Sequence, residues 1–223
     1  MIRADAYFFD IDGTLLLTRD SIHRNALHEA MREVYGVDTT IDGIAYHGKT
    51  DVGILRAALN RCGVPDTVFE RSLRIALDVI CREVEAHAAD MRPEVFPAIP
   101  EVLTEIQSQN KLLGVASGNL ESVGWTKITA AGLRSYFSTG SFADRSESRT
   151  AVFDLAVTTA RQSLGNASSV CFVGDTPEDI RAARAVNAKI VAVCTGIFGA
   201  DELSALAPDV CCTSCKELLG KLQ

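Results

Sequence analysis

Tyr7-Phe8-Phe9-Asp10-Ile11-Asp12-Gly13-Thr14-Leu15 is the stretch that decides how this 223-residue chain folds. Tyr7 to Phe9 form a short apolar, aromatic run and predict a buried strand. Two carboxylates leave the end of that strand two residues apart, so Asp10 and Asp12 project to the same side. Gly13 permits a sharp turn, and Thr14 adds a hydroxyl. Two like charges this close are costly unless a cation sits between them. At the C-terminal edge of a parallel strand such a pair suits a divalent metal and an active site.

The rest of the chain is compatible with an ordinary globular enzyme. Hydrophobic residues make up 47% and charged residues 23%, a mixture that supports a full core. A net charge of −7 gives no reason to expect nucleic acid or an anionic membrane as partner. No apolar run reaches the roughly 20 residues of a membrane span. Met1-Ile2-Arg3-Ala4-Asp5 leads straight into the first strand, so no signal peptide is expected and the cytoplasm is the expected location. Seven cysteines, Cys62, Cys81, Cys171, Cys194, Cys211, Cys212 and Cys215, read as buried free thiols. Cys212-Thr213-Ser214-Cys215 matches C-x-x-C, but a zinc site needs two more ligands, and all four histidines lie within the first 87 residues.

Apolar spacing predicts helices over 22–35, 52–59 and 68–86, with no strand between residues 18 and 91. Beyond Pro93 the texture changes. Helices over 100–110, 122–131, 151–163 and 179–186 alternate with strands over 112–116, 136–139, 170–173 and 190–193. Such alternation predicts an α/β fold, a doubly wound parallel-sheet core interrupted after its first strand by an all-helical insertion. The expected division is a core of residues 1–16 plus 92–223 and an inserted cap of residues 17–91. Ligands of such sheets sit beyond the carboxyl ends of the strands. Three strand ends carry suggestive residues: Asp10 and Asp12; Ser117-Gly118-Asn119; and Gly174-Asp175-Thr176-Pro177-Glu178-Asp179. The second opens a helix whose backbone N–H groups suit a phosphate. In the third, Thr176, Pro177 and Asp179 form a capping-box pattern that accounts for Asp179 but not for Asp175.

Together these stations resemble the haloacid dehalogenase superfamily, whose phosphatases share Asp-x-Asp-Gly-Thr, then Ser or Thr, then Lys or Arg, then Gly-Asp-x-x-x-Asp. The resemblance covers essentially the whole chain. It implies a phosphatase acting on a small phosphorylated metabolite, phosphoglycolate being one candidate, as a monomer or homodimer with Mg²⁺. Asp10 would be the nucleophile and Asp12 the general acid and base. Ser117 would bond the phosphoryl oxygens, with Thr14, Gly118 and Asn119 also at the phosphate. Asp10, Asp175 and the Asp12 carbonyl would hold the metal, supported by Asp179. The helical insertion would be the cap that closes over the site, with Lys49 facing the substrate. The family's Lys after the second station is missing. Lys127 sits too early, Arg149 is the best replacement, and Arg145 is its rival.

Three other readings compete. Gly43-Ile44-Ala45-Tyr46-His47-Gly48-Lys49-Thr50 matches the P-loop pattern, but a P-loop follows a buried strand and residues 37–42 make a poor one. A phosphomutase of the same superfamily would have these acidic residues plus a nearby His, and His23 lies close to the expected position. A non-catalytic binding protein would be expected to have lost an acidic station, and none is lost.

Overall fold

The computed structural model describes residues 2–222. Strand β1 (Ala6–Phe9) is followed by a short strand β2 (Leu16–Thr18) and three helices, α1 (Ile22–Tyr35), α2 (Asp51–Arg61) and α3 (Asp66–Ala86). Strand β3 (Pro93–Val95) returns antiparallel to β2. There follow α4 (Ile99–Ser108), β4 (Leu112–Ala116), α5 (Glu121–Ala130), β5 (Thr139–Ser141), α6 (Arg149–Leu164), β6 (Val170–Gly174), α7 (Pro177–Ala185), β7 (Lys189–Val193), α8 (Ala200–Ala205), β8 (Val210–Cys212) and α9 (Cys215–Leu222).

Six strands form one parallel sheet in the order β5-β4-β1-β6-β7-β8. The unbroken apolar runs of its central strands follow from burial on both faces. Tyr7 and Phe9 turn toward a core closed by Val102 and Ile106 of α4 and Leu218 of α9. Ala6 and Phe8 turn the other way, onto Val152, Phe153 and Ala156 of α6 and Ile180 of α7. The same alternation splits Cys171 and Val173 of β6 from Val170 and Phe172. Full burial of one such side chain is worth roughly 1.5–3 kcal/mol, so a one-residue slip of β1 would be opposed by several side chains at once.

Helices α1, α2 and α3 build a second core from Leu27, Met31, Leu55, Leu59, Phe69 and Ile80. Leu120 and Val123, from the start of α5, join that core. Thus α5 faces both packing units, since its Ile128 belongs to the sheet core.

The α/β class and the sheet predicted from the sequence are present, and among the described residues no strand falls between Thr18 and Met91. The strand expected over 136–139 is displaced. A 3₁₀ turn occupies Arg134–Tyr136, and β5 starts at Thr139. Its Thr139-Gly140-Ser141 has no apolar alternation, and edge pairing with β4 makes it a strand. The β2/β3 pair, β8, α8 and α9 were not expected; the strands among them are only three residues long.

Candidate active site

Parallel pairing decides where the site lies. Phe9 is level with Val115 of β4 and Val173 of β6, so the residues just past those strands emerge side by side. These are Asp10, Ser117 and Asp175, all buried. The order of the sheet places β1 between β4 and β6, the crevice where ligands of such folds bind. Asp10 is anchored by its own N–H, which donates to the Val173 carbonyl at 2.9 Å.

Gly13 makes the loop possible. Its φ is +86°, and a Cβ there would lie 2.3 Å from Asp175 Oδ2. No other residue type accommodates both the backbone conformation and the contact. The next residue, Thr14, was placed with the phosphate-binding groups by the sequence. Its hydroxyl is buried and donates to Asp175 Oδ1 at 2.9 Å, so here it orients a carboxylate.

Asp10, Asp175 and Asp179 bring carboxylate oxygens within 4.8 Å of one another. They differ in what already occupies them. Asp179 Oδ2 accepts from the Thr176 N–H and hydroxyl, completing the capping box of α7, and Oδ1 accepts from Arg149 Nε and Nη2. Asp10 Oδ2 faces Arg149 Nη2 at 2.7 Å. By contrast, Asp10 Oδ1 is buried with no hydrogen-bond partner among the described residues. A buried carboxylate oxygen left bare is costly, and a hard cation among oxygen donors removes that cost. The donor set therefore fits a divalent metal.

The electrostatics agree. Burial pushes Asp10 up to about 6, opposed by Arg149 and reinforced by the Asp179 charge. Burial also raises Asp175 well above the ordinary carboxylate range, with the Asp10 and Asp179 charges adding to it. Burial opposes the charge of Arg149, but Asp10 and Asp179 outweigh it and keep the guanidinium protonated. Arg149, rather than the exposed Arg145, thus reaches the acidic cluster.

Asp12 lies apart from that cluster. Its Oδ2 is 2.6 Å from Lys127 Nζ and its Oδ1 accepts from the Thr18 hydroxyl at 3.1 Å. Burial acts to raise Asp12, yet the Lys127 charge and hydrogen bond carry it below the usual range. Lys127 was set aside in the sequence as too early for the family Lys; it reaches the site on the other carboxylate.

At the second strand end, the Asn119 N–H approaches the Ser117 hydroxyl at 3.4 Å, and the Asn119 carbonyl accepts from Ala143. Asp51, which sequence reasoning passed over, ties the helical insertion to this turn. Its N–H donates to the Gly118 carbonyl at 2.8 Å, and its Oδ2 accepts from the Leu120 N–H at 2.8 Å. His23 Nε2 lies 3.2 Å from the same Asp51 oxygen, without hydrogen-bond geometry. Lys49 is exposed, two positions ahead of Asp51. The P-loop match falls in this segment, and no strand precedes it: residues 36–42 carry no strand. Thr50 caps α2 by accepting from Gly53. Cys212 and Cys215 are buried, and burial pushes their thiols up to about 12 and about 11, far from the thiolate a metal needs.

The haloacid dehalogenase-like hydrolase family matches residues 7–193. The probable phosphatase IndB of Dickeya dadantii is 28% identical over 223 residues, covering 95% of this chain and 90% of that protein. The phosphoglycolate phosphatase of Synechococcus elongatus is 28% identical over 206 residues, 92% of this chain and 90% of the relative. Among solved structures, CbbY from Rhodobacter sphaeroides in complex with xylulose-1,5-bisphosphate superposes with a TM-score of 0.71 at 18% identity, over 97% of this chain and 96% of that one.

Proposed function

The chain belongs to the haloacid dehalogenase-like hydrolases, and from that premise we propose that it is a Mg²⁺-dependent phosphatase working through an aspartyl-phosphate on Asp10. The observation that carries the reading is the state of Asp10 itself. One oxygen is held by Arg149 at 2.7 Å and the other is buried and bare. That arrangement suits a nucleophile flanked by a fixed cation on one side and a metal on the other.

In the proposed reaction an Asp10 carboxylate oxygen forms a bond to phosphorus as the bond to the substrate alcohol breaks. Asp12 gives its proton to the departing oxygen. It then takes a proton from the water that attacks phosphorus, which frees inorganic phosphate and restores Asp10. Arg149 offsets the negative charge on the phosphoryl oxygens, and Ser117 with the N–H groups of Gly118 and Asn119 orients them. Asp10, Asp175 and the Asp12 carbonyl would hold Mg²⁺, which would supply the remaining charge neutralisation, a hard cation for a hard ligand set. Asp179 supports the site by fixing Arg149 and the start of α7.

The proposed partition keeps residues 1–16 and 92–223 as the catalytic core and 17–91 as a cap that excludes water on closing. A small phosphorylated metabolite with an anionic leaving half fits this reading best. Support comes from the relative named phosphoglycolate phosphatase and from a Lys in the cap loop.

A panel of phosphorylated metabolites assayed for phosphate release tests the reading. The wild type should act with Mg²⁺ and fall silent with a chelator, and Asp10→Asn should be inactive while still folded. Enzymatic accelerations of phosphate-ester hydrolysis reach up to ~10²¹, so no side route conceals the loss. A folded Asp10→Asn protein with near wild-type turnover would refute the mechanism. Isomeric phosphate esters formed without phosphate release would point instead to a phosphomutase.

A further inference from the structure

A lysine turned into a protein interior is stable only against a well-placed anion. Lys127 is 3% exposed and lies on the inward face of α5 with Val123, Gly124 and Ile128. That face packs directly on the loop carrying Asp10 and Asp12. A Cβ on Gly124 would lie 3.1 Å from Ile11 Cδ1 and 2.5 Å from Phe142 Cε1, so the helix approaches as closely as a glycine allows. From this backing Lys127 reaches one carboxylate. Its Nζ lies 2.6 Å from Asp12 Oδ2, and among the described residues Asp12 is its one ion-pair partner.

The asymmetry of the pair is informative. The Asp12 side chain is 40% exposed, so water reaches it from one side while the lysine meets it from the other. An apolar residue at position 127 would continue the face made by Val123 and Ile128. A lysine there does one thing those neighbours cannot: it holds Oδ2 of a carboxylate whose Oδ1 is held by the Thr18 hydroxyl.

We propose that Lys127 is a positioning residue for Asp12, holding its carboxylate at the mouth of the site in the orientation from which it exchanges protons with the leaving oxygen and the attacking water. The inference rests on the reading of Asp12 as the acid and base, and deepens it by giving that role a fixed geometry. A displacement of about 1 Å can cost about 10²-fold in rate, which sets the scale of what the lysine protects.

Lys127→Met keeps the length of the side chain and removes its charge. On an alkyl phosphate it should lower kcat about 10- to 100-fold with KM changed by less than about threefold. An aryl phosphate, whose leaving group needs little protonation, should lose less in the first turnover. Lys127→Arg should recover part of the rate. In an Asp12→Asn background, Lys127→Met should change kcat by less than about twofold, because the residue acts through a group no longer there. Losses that multiply in the double variant, or equal first-turnover losses on both substrate types, would overturn the proposal. Should Lys127→Met fail to fold, Lys127→Gln carries the same comparisons. A crystal structure of the variant gives a readout independent of turnover. The Asp12 carboxylate should be displaced or split between rotamers, and an unmoved Asp12 would overturn the proposal. If Asp12 moves while the wild type hydrolyses no phosphate ester, the phosphatase reading fails, and what stands is that Lys127 holds the Asp12 carboxylate.

Discussion

Arg149 Nη2 stands 2.7 Å from Asp10 Oδ2, joining a helix that starts after the second strand-end station to the carboxylate at the first. The same nitrogen is 2.6 Å from Asp179 Oδ1. One guanidinium therefore bridges the two carboxylates of greatest consequence, from α6 across to β1 and α7. A planar fork with several donors can do this; a lysine ammonium, with one nitrogen, grips the pair less rigidly.

Replacing Arg149 should therefore affect both stability and rate. Arg149→Ala leaves two buried carboxylates facing each other without their cation, and breaking a buried pair in this way costs about 3–5 kcal/mol. Its melting temperature should drop and its kcat should fall, whereas Arg149→Lys should keep more of both. Arg145→Ala, on an exposed side chain, should leave melting and kcat unchanged. Thermal melts with steady-state kinetics on one phosphate ester decide the matter. A loss of kcat in Arg145→Ala but not in Arg149→Ala would assign the phosphoryl-binding cation to the wrong arginine.

The acidic cluster makes the metal-free protein sensitive to pH in an unusual direction. Burial raises Asp10 to about 6, against Arg149 and with Asp179, and raises Asp175 as well. In the unfolded chain both revert to the ordinary aspartate value near ~3.9. Between the ordinary value and about 6 the folded state binds more protons at Asp10 than the unfolded one does, so that contribution to stability is full below about 4 and is lost as pH rises through about 6, and the raised Asp175 acts in the same direction. Asp175→Asn, measured with a chelator, should then melt above the wild type at pH 7.5, with the advantage shrinking as the pH falls. A difference of 1 kcal/mol corresponds to about 2–4 °C in a chain of this size. Adding Mg²⁺ should raise the wild type more than the variant. A variant that melts below the wild type at pH 7.5 in chelator would contradict the charge repulsion.

What could be read from the sequence follows from how each residue is placed. Asp10, Ser117 and Asp175 were legible because strands of a parallel sheet end side by side, so the first residue past each apolar run falls at the same crevice. The capping box of Thr176 and Asp179 was legible because it is local, set by a spacing of three residues. Lys127 was not. It lies on the same helical face as Val123 and Ile128, and nothing in that spacing tells which loop the helix will back onto. Asp51 was hidden for a similar reason. At the first position of α2 it reads as a favourable acidic residue for a helix N-terminus, and only the docked insertion brings it to the Leu120 N–H. Thr14 was expected at the phosphate, and its hydrogen bond to Asp175 was not legible, because it depends on the tight Gly13 turn and on β6 ending beside β1. The short edge strands β5 and β8 owe their conformation to pairing with a neighbour rather than to any alternation of their own.

Lys49 gives the sharpest test of substrate charge. It is exposed on the loop before α2, and its N–H donates to the Tyr46 carbonyl at 3.0 Å. Two residues later, Asp51 pins the insertion to Gly118 and Leu120, so the lysine stands beside the turn assigned to the phosphate. A carboxylate on the leaving half of the substrate would meet a cation there. Interactions of exposed charges are worth about 0.2–1 kcal/mol, so Lys49→Ala should raise KM for phosphoglycolate by up to about fivefold and leave kcat unchanged, since lost ground-state binding appears in KM. A neutral aryl phosphate should be untouched. High salt should shrink the difference between wild type and variant, because exposed charges are screened over about 10 Å at 0.1 M ionic strength. Unchanged KM values on both substrates would make Lys49 a bystander of the loop. Loss of nucleoside triphosphate hydrolysis in Lys49→Ala, with that activity intact in Asp10→Asn, would instead revive the P-loop reading that the absence of a preceding strand argues against.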